Sequence, residues 1–338
     1  MPLEYVFALC ALSTWIVSHV YRAIAVEREI LAHPEARSAH TVPTPTGAGI
    51  AMVVVFFFVM VDFRRSGILD DRTMLAWLGP IVVAAIGFVD DLKPLDWKVR
   101  FPVFLAACAW SMYWVGFPEL DILGWRVSNA AVGFVFGTIS LLWLQNLYNF
   151  MDGIDGLAVA EAAFCCIAVL VISGAMHPNA WNLSMIVFLG VCLGFALINW
   201  PGAKVFMGDA GSGFLGLSLG MFALAEGAVT VWVWMILLGW FISDACLTIS
   251  IRLIRGERIW EGHSLHAYQH LARRFGKHKV LYGILAVNVA WLLPIAWWAN
   301  KSPDIAVILL VLAYAPLLAC QFLLGAGQPQ PRLVAIKT

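Results

Sequence analysis

Eleven apolar runs, each close to the length of a membrane-crossing helix, constrain this chain more than any other feature. They lie at 3–21, 47–63, 74–89, 100–117, 130–145, 157–175, 183–198, 212–225, 229–251, 280–299 and 304–324. A bilayer core takes about 20 apolar residues per helical crossing. With 62% hydrophobic and 12% charged residues among 338, the chain leaves no room for a separate soluble domain. The expected fold is an all-α polytopic membrane protein, one domain over 1–338, with about eleven transmembrane helices in the lipid bilayer. The first run has no basic stretch before it and no small-residue cleavage site after it, so it reads as a retained span. No repeat, low-complexity segment or linker is visible, and no basic tail suggests nucleic acid. Cys10, Cys108, Cys165, Cys166, Cys192, Cys246 and Cys320 all sit inside apolar runs without metal-ligand spacing and read as packing residues.

An odd number of spans puts the termini on opposite sides. Alternate loops, beginning with 22–46 and counting the tail, hold sixteen Lys and Arg (Arg37, Arg332 and Lys337 among them) against five in the others. The positive-inside bias makes the rich set cytoplasmic, with the N-terminus outside and the C-terminus inside. Trp77, Trp97, Trp125, Trp200, Trp240, Trp260 and Trp298 fall near expected span ends or in nearby loops, and most read as interfacial anchors.

Four polar clusters then share the cytoplasmic face. Asp90 and Asp91 end the third run; adjacent carboxylates call for a cation, from Lys93, Lys98 or a divalent metal, although a solvated helix end explains them equally well. Asn146, Asn149, Asp152 and Asp155 lie between two apolar runs. One acid suffices to cap a helix, whereas two acids at i, i+3 with two carboxamides make an oxygen-rich pocket for Mg2+ or for a heterocycle's N–H groups. Asp209 sits among Gly208, Gly211 and Gly213, where bared backbone N–H groups suit phosphate; Ser212, Gly216 and Gly220 along the same helix read as close packing. The loop 252–279 carries seven Lys and Arg with Glu261, His263, His266 and His270, the histidines suited to donating to phosphate. Asp244, in the ninth run, reads as a proton or metal residue or as a partner of Arg252. Acids for a divalent cation and donors for phosphates, at one membrane surface, are the parts that phosphoryl transfer needs.

Four motifs in order resemble the polyprenyl-phosphate N-acetylhexosamine-1-phosphate transferases, a glycosyltransferase family that includes the muramoyl-pentapeptide translocase and the GlcNAc-1-phosphate transferases. They are His40-Thr-Val-Pro-Thr-Pro-Thr-Gly-Ala-Gly49 with the Asp90-Asp91 pair, Asn146-x-x-Asn-x-x-Asp-Gly-x-Asp-Gly-Leu157, Phe206-Met-Gly-Asp-x-Gly-Ser212 and the histidine loop. The resemblance spans nearly the whole chain. It implies transfer of a sugar-1-phosphate from a UDP-N-acetylhexosamine to undecaprenyl phosphate, with UMP released and Mg2+ required, Mn2+ being a substitute. It also implies that Asp209 and Asn149 hold the metal, that Asp90 and Asp91 serve the lipid phosphate, that Asp155 faces uracil and that Asp152 is an essential acid. Asn146, Lys98, Arg100, His263, His266 and His270 are the remaining candidate substrate contacts. This chain has His-Ala-Tyr-Gln-His where the peptidoglycan enzyme has three consecutive histidines, and in this it looks more like the subgroup that begins O-antigen or other surface polysaccharides. Thr46 stands where relatives often carry a basic residue.

Three other readings compete. One is the phospho-N-acetylmuramoyl-pentapeptide transferase itself. A secondary transporter would place acids near the midplane and usually show repeat symmetry. A CDP-alcohol phosphotransferase would carry Asp-Gly-x-x-Ala-Arg, but Asp155-Gly-Leu-Ala158 is followed by Val159. The oligomeric state, a homodimer included, and the sugar are left open.

Overall fold

The computed structural model describes residues 2–33, 42–118, 120–122, 125–127, 129–174, 179–225, 227, 229–258 and 262–329. Arg37, His40, Trp260, Glu261, Arg332 and Lys337 lie outside the described residues. The helices are α1 (Leu3–Glu27), α2 (Ile50–Arg65), α3 (Asp71–Ala76), α4 (Leu78–Leu92), α5 (Trp97–Val115), α6 (Ala130–Met151), α7 (Leu157–Ser173) and α8 (Ala180–Asn199). They continue with α9 (Gly208–Leu224), α10 (Val231–Leu237), α11 (Gly239–Ile254), α12 (Ala267–Phe275), α13 (Lys277–Val287), α14 (Leu293–Lys301) and α15 (Ala306–Leu323). Two short antiparallel ribbons, outside the all-α expectation, pair β1 (Leu31–Ala32) with β2 (Thr44–Pro45) and β3 (Leu120–Ile122) with β4 (Trp125–Val127). They fall between apolar runs, where a strand of two or three residues leaves no periodic signal.

Each expected span coincides with a helix or a bent helix pair. By length and composition, six stretches among the described residues suffice to cross a membrane: α1, α3–α4, α6, α8, α13–α14 and α15 with its leading turn. The pair α10–α11, bent by 75°, makes a seventh if it counts as one span. The helices α2, α7 and α9 have only 16, 17 and 17 residues, and α5 opens with Lys98 and Arg100.

Two departures from straight helices have identifiable causes. At Leu238–Gly239 the expected ninth span breaks, and α15 supplies partners there: Tyr314 donates to the Met235 carbonyl at 2.7 Å and Gln321 to the Trp240 carbonyl at 3.3 Å. An apolar environment tolerates such a break only when freed backbone groups are satisfied. Asn288–Leu292 is a π-helical turn just before Pro294, whose ring cannot donate and would clash with the carbonyl four residues back.

Helix α9 is the axis of the bundle, buried almost throughout and packed against α4 and α6. Its small residues allow this, since a Cβ at Gly216 would stand 2.8 Å from the Gln145 Cα. Trp77 and Trp240 are buried rather than interfacial, whereas Trp97 and Trp298 are exposed. Cys320 is exposed too, unlike the packing role expected of it, but five of the other cysteines are buried.

On the far side, α8 lies along α1 through Gly190 and Gly194; a Cβ at Gly194 would meet the Ala11 carbonyl oxygen at 2.2 Å. Gly194→Leu should therefore lower thermal stability in detergent, overpacking of this kind costing about 1–3 kcal/mol. Gly283→Ala, at a site in α13 where a Cβ meets nothing within 4 Å, should be neutral or stabilise by up to about 1 kcal/mol. A Gly194→Leu protein that melts with the parent would contradict this packing.

Candidate active site

The start of α9 is built on a carboxylate from α4. Asp91 accepts from the backbone N–H of Asp209 at 2.9 Å and from that of Ala210 at 3.1 Å, satisfying donors that a helix N-terminus leaves free. Gly208 makes the approach feasible: its φ is +73°, and a Cβ there would lie 2.4 Å from the Asp91 carboxylate. The 45–49 loop is fastened alongside, with Phe206 N–H donating to the Pro45 carbonyl at 2.7 Å and Gly49 N–H to the Met207 carbonyl at 2.9 Å. Tyr21 of α1 donates to the Thr46 carbonyl at 2.7 Å.

Asp209, so positioned, meets Asp90, Arg100 and Asn149. One guanidinium nitrogen of Arg100 reaches Asp90 at 2.5 Å and Asp209 at 2.8 Å, and the Asn149 amide donates to the Asp209 carboxylate. The adjacent acids thus have different work: Asp91 holds a helix start, whereas Asp90 joins the charged cluster. Lys98 stays outside it, exposed on the first turn of α5.

Helix α7 begins only at Leu157, so Asp152 and Asp155 lie in the link after α6 and do not share a helical face. Asp152 borders the cavity; burial first, then the fields of Asp209, Asp91 and Asp155, push its carboxyl well above the usual carboxylate range. Asp155 is nearly filled by protein donors, accepting from Gly202 and Ala203 N–H groups at 3.2 and 3.3 Å and from Lys277 at 3.0 Å. Asn146 turns back to donate to the Leu142 carbonyl of its own helix at 2.7 Å and does not line the cavity.

The three histidines also part company, because α12 starts after two of them. His263 borders the cavity, with its ring centroid 4.9 Å from that of His266. His266 is 1% exposed and lies 3.4 Å from Asp244. His270 faces inward, its Nδ1 2.8 Å from Arg273. Burial, followed by the positive fields of His266 and Arg252, pushes His263 down to about 3; burial and then Arg273 push His270 down as well. Arg252 pairs with Glu257 at 3.0 Å, while Asp244 is turned toward α12. It accepts from the N–H groups of Ala267 and Tyr268 at 2.9 and 3.0 Å, capping α12 as Asp91 caps α9.

These elements enclose a cavity of about 330 Å3, bordered by Thr46, Asn149, Asp152, Asp209, His263 and Lys277 among others. Sequence reasoning missed two contributors. Lys277 is one of seven cations in a basic loop, with nothing in the sequence to single it out. Asn199, at the end of an apolar run, accepts from Gly156 N–H at 3.1 Å and donates to the Val205 carbonyl at 3.0 Å, tying the Asp155 turn to the loop before α9. No group of three or more His, Cys, Asp and Glu among the described residues forms a metal cage. Asp209 and Asn149 are nonetheless hard oxygen donors in mutual contact at the cavity wall, a set that suits Mg2+, which takes one or two carboxylates and leaves its other positions to water and phosphate.

An acidic cluster thus lines a cavity in a bundle with six or seven helices long and apolar enough to cross a membrane among the described residues, and sequence comparison shows what such a chain resembles. Residues 73–227 match the profile of glycosyl transferase family 4, a stretch that includes Asp90, Asp91, the Asn146–Asp155 segment and Asp209. Over that stretch the chain is similar to the family. It is 27% identical over 323 residues to the probable undecaprenyl-phosphate N-acetylglucosaminyl 1-phosphate transferase of Bacillus subtilis, covering 90% of this chain and 87% of that protein. It is 30% identical over 237 residues to the decaprenyl-phosphate N-acetylglucosaminephosphotransferase of Mycolicibacterium smegmatis, covering 62% of this chain and 56% of that one. A phospho-N-acetylmuramoyl-pentapeptide-transferase of Lactococcus lactis is 28% identical over 256 residues, 69% of this chain and 76% of that protein.

Two predictions follow from this geometry. Asp91→Ala should cost about 1–2 kcal/mol as two helix N–H groups lose their acceptor, and should lower activity through Asp209; undiminished stability would remove the capping role. His263 ordinarily titrates at 6.5, so between that value and about 3 the unfolded chain holds a proton that the folded chain lacks. Stability should therefore fall as pH drops through this window, and His263→Gln should flatten the fall; a slope unchanged by the substitution would contradict the buried neutral ring.

Proposed function

We propose that this chain transfers an N-acetylhexosamine-1-phosphate from a UDP-sugar to undecaprenyl phosphate, yielding undecaprenyl-diphosphate-sugar and UMP. A lipid phosphate oxygen forms a bond to the sugar-bearing phosphorus as the bond to the UMP oxygen breaks. The observation that carries this reading is Asp209, held by Asp91 through the backbone and by Arg100 and Asn149 through its side chain, at the wall of a cavity in a chain similar to glycosyl transferase family 4.

In this reading Asp209 and Asn149 hold Mg2+, with Mn2+ a workable substitute; when bound, the ion neutralises charge on the diphosphate and on departing UMP. The protein's own groups do the rest. Asp90 and Arg100 keep the Asp209 carboxylate aimed at the cavity, His263 offers a neutral ring to a phosphate oxygen, and Lys277 adds a cation. Asp152, whose carboxyl is pushed up by burial and then by the neighbouring acids, borders the same cavity. The excess of Lys and Arg in alternate loops supports a cytoplasmic site in a bacterial plasma membrane, with the N-terminus outside and the C-terminus inside.

The finer assignment is the first membrane step of O-antigen or another surface polysaccharide. It is favoured over the pentapeptide reaction by the His266-Ala-Tyr-Gln-His270 spacing and by the N-acetylglucosamine named for the Bacillus and Mycolicibacterium relatives. Purified protein given a panel of UDP-sugars should release UMP only when UDP-N-acetylhexosamine, undecaprenyl phosphate and a divalent cation are all present. Asp209→Asn should fold and lose at least about a hundredfold in rate, the scale expected when a group facing developing charge is removed. Full activity in that variant, or UMP release without lipid phosphate, would overturn the reading.

A further inference from the structure

Away from the cavity, α7 and α13 share one buried polar contact that the reaction does not use. Glu161, one turn into α7 and 1% exposed, receives a hydrogen bond on Oε2 from Asn288 Nδ2 at 2.5 Å; Asn288, fully buried, opens the π-helical turn. Among the described residues, the other oxygen of each group, Glu161 Oε1 and Asn288 Oδ1, has no partner. No cation pairs with Glu161 among the described residues; the titratable groups that sense it are Tyr148 of α6 and Cys165 of its own helix, neutral in ordinary conditions.

An ionised Glu161 would leave a buried charge without a counterion and two buried acceptors without donors, an arrangement that folded proteins avoid. One proton on Oε1 removes all three defects, because it supplies the donor that Asn288 Oδ1 lacks. We infer that Glu161 is a protonated acid joined to Asn288 in a two-way acid–amide clasp, and that this clasp sets the register of α13 on α7 that brings Lys277 to Asp155. Lys277 opens α13 and Asn288 follows its end, three turns or about 16 Å on, and their partners on the other side are Asp155, two residues before α7, and Glu161, one turn into it. Asn288 is the first residue of the π-helical turn that precedes Pro294. Glu161 and Asn288 are thus positioning residues acting through Lys277.

Difference infrared spectroscopy of the full chain in lipid, wild type minus Glu161→Gln, tests the proton. At a pH well above the ordinary range of a glutamate, the wild type should retain the carbonyl stretch of a protonated carboxylic acid, which the variant lacks. No such band in the difference spectrum overturns the clasp. Glutamine can form the same two-way pair, so Glu161→Gln should keep melting temperature and KM, whereas Asn288→Leu should lower the first and raise the second with kcat little changed. If Glu161→Gln is as damaged as Asn288→Leu, the ring is not what matters and the inference fails. The KM arm rests on the proposed reaction, but the infrared and melting arms do not, so the two claims fail separately.

Discussion

Everything at the polar end of this bundle hangs on a carboxylate at the end of α4 accepting the first amides of α9. Inside an apolar protein a bare helix N-terminus and an unpaired Asp are each unfavourable, and bringing them together satisfies both, because the helix end carries partial positive charge. Asp91 makes two such bonds, and in doing so places Asp209 one residue into the helix with its side chain on Arg100, Asn149 and the cavity. The same solution recurs where Asp244 of α11 starts α12 and fixes the loop bearing His263. Asp91 and Asp244 thus both serve as joints between helices.

Those joints explain how so much irregular backbone survives beside long apolar helices. Non-helical chain at membrane depth persists where it lines a cavity and where other protein groups meet its donors and acceptors. The Asp152–Gly156 link meets this condition through Asn199, which accepts from Gly156 N–H, and through the Asp155 carboxylate, which accepts from Gly202 N–H, while Tyr268 donates to the Phe150 carbonyl at the end of α6. The break between α10 and α11 meets it through Tyr314 and Gln321.

Much of this was legible in the residues, and the remainder has physical reasons for being hidden. Apolar runs mark helices because burial in lipid demands continuous hydrophobicity, so all eleven expected stretches reappear as helices, even though six or seven meet the length and hydropathy needed to cross. Residues from three of the motifs, Asn149, Asp152, Asp155, Asp209 and His263, border one cavity, and Asp90 stands behind Asp209 through Arg100. Spacing did not reveal which atoms of a motif face inward. His266 and His270 turn away from the cavity because α12 begins late, Asn146 bonds to its own helix, and Lys98 remains at the surface. Lys277 and Asn199 were hidden because a Lys in a basic loop and an Asn at a span end are what topology alone would place there. The division between Asp90 and Asp91 depends on Gly208, whose positive φ a sequence does not display.

The account stands on phosphoryl rather than glycosyl transfer at the Asp209 cluster. The most direct measurement supplies a UDP-N-acetylhexosamine labelled at the sugar-bearing phosphorus to the purified protein with undecaprenyl phosphate and Mg2+, and follows the label. Phosphoryl transfer moves it into the lipid product and leaves unlabelled UMP, and Asp209→Asn stops the movement. Label remaining on released UDP, with the sugar alone on the lipid, would contradict the account.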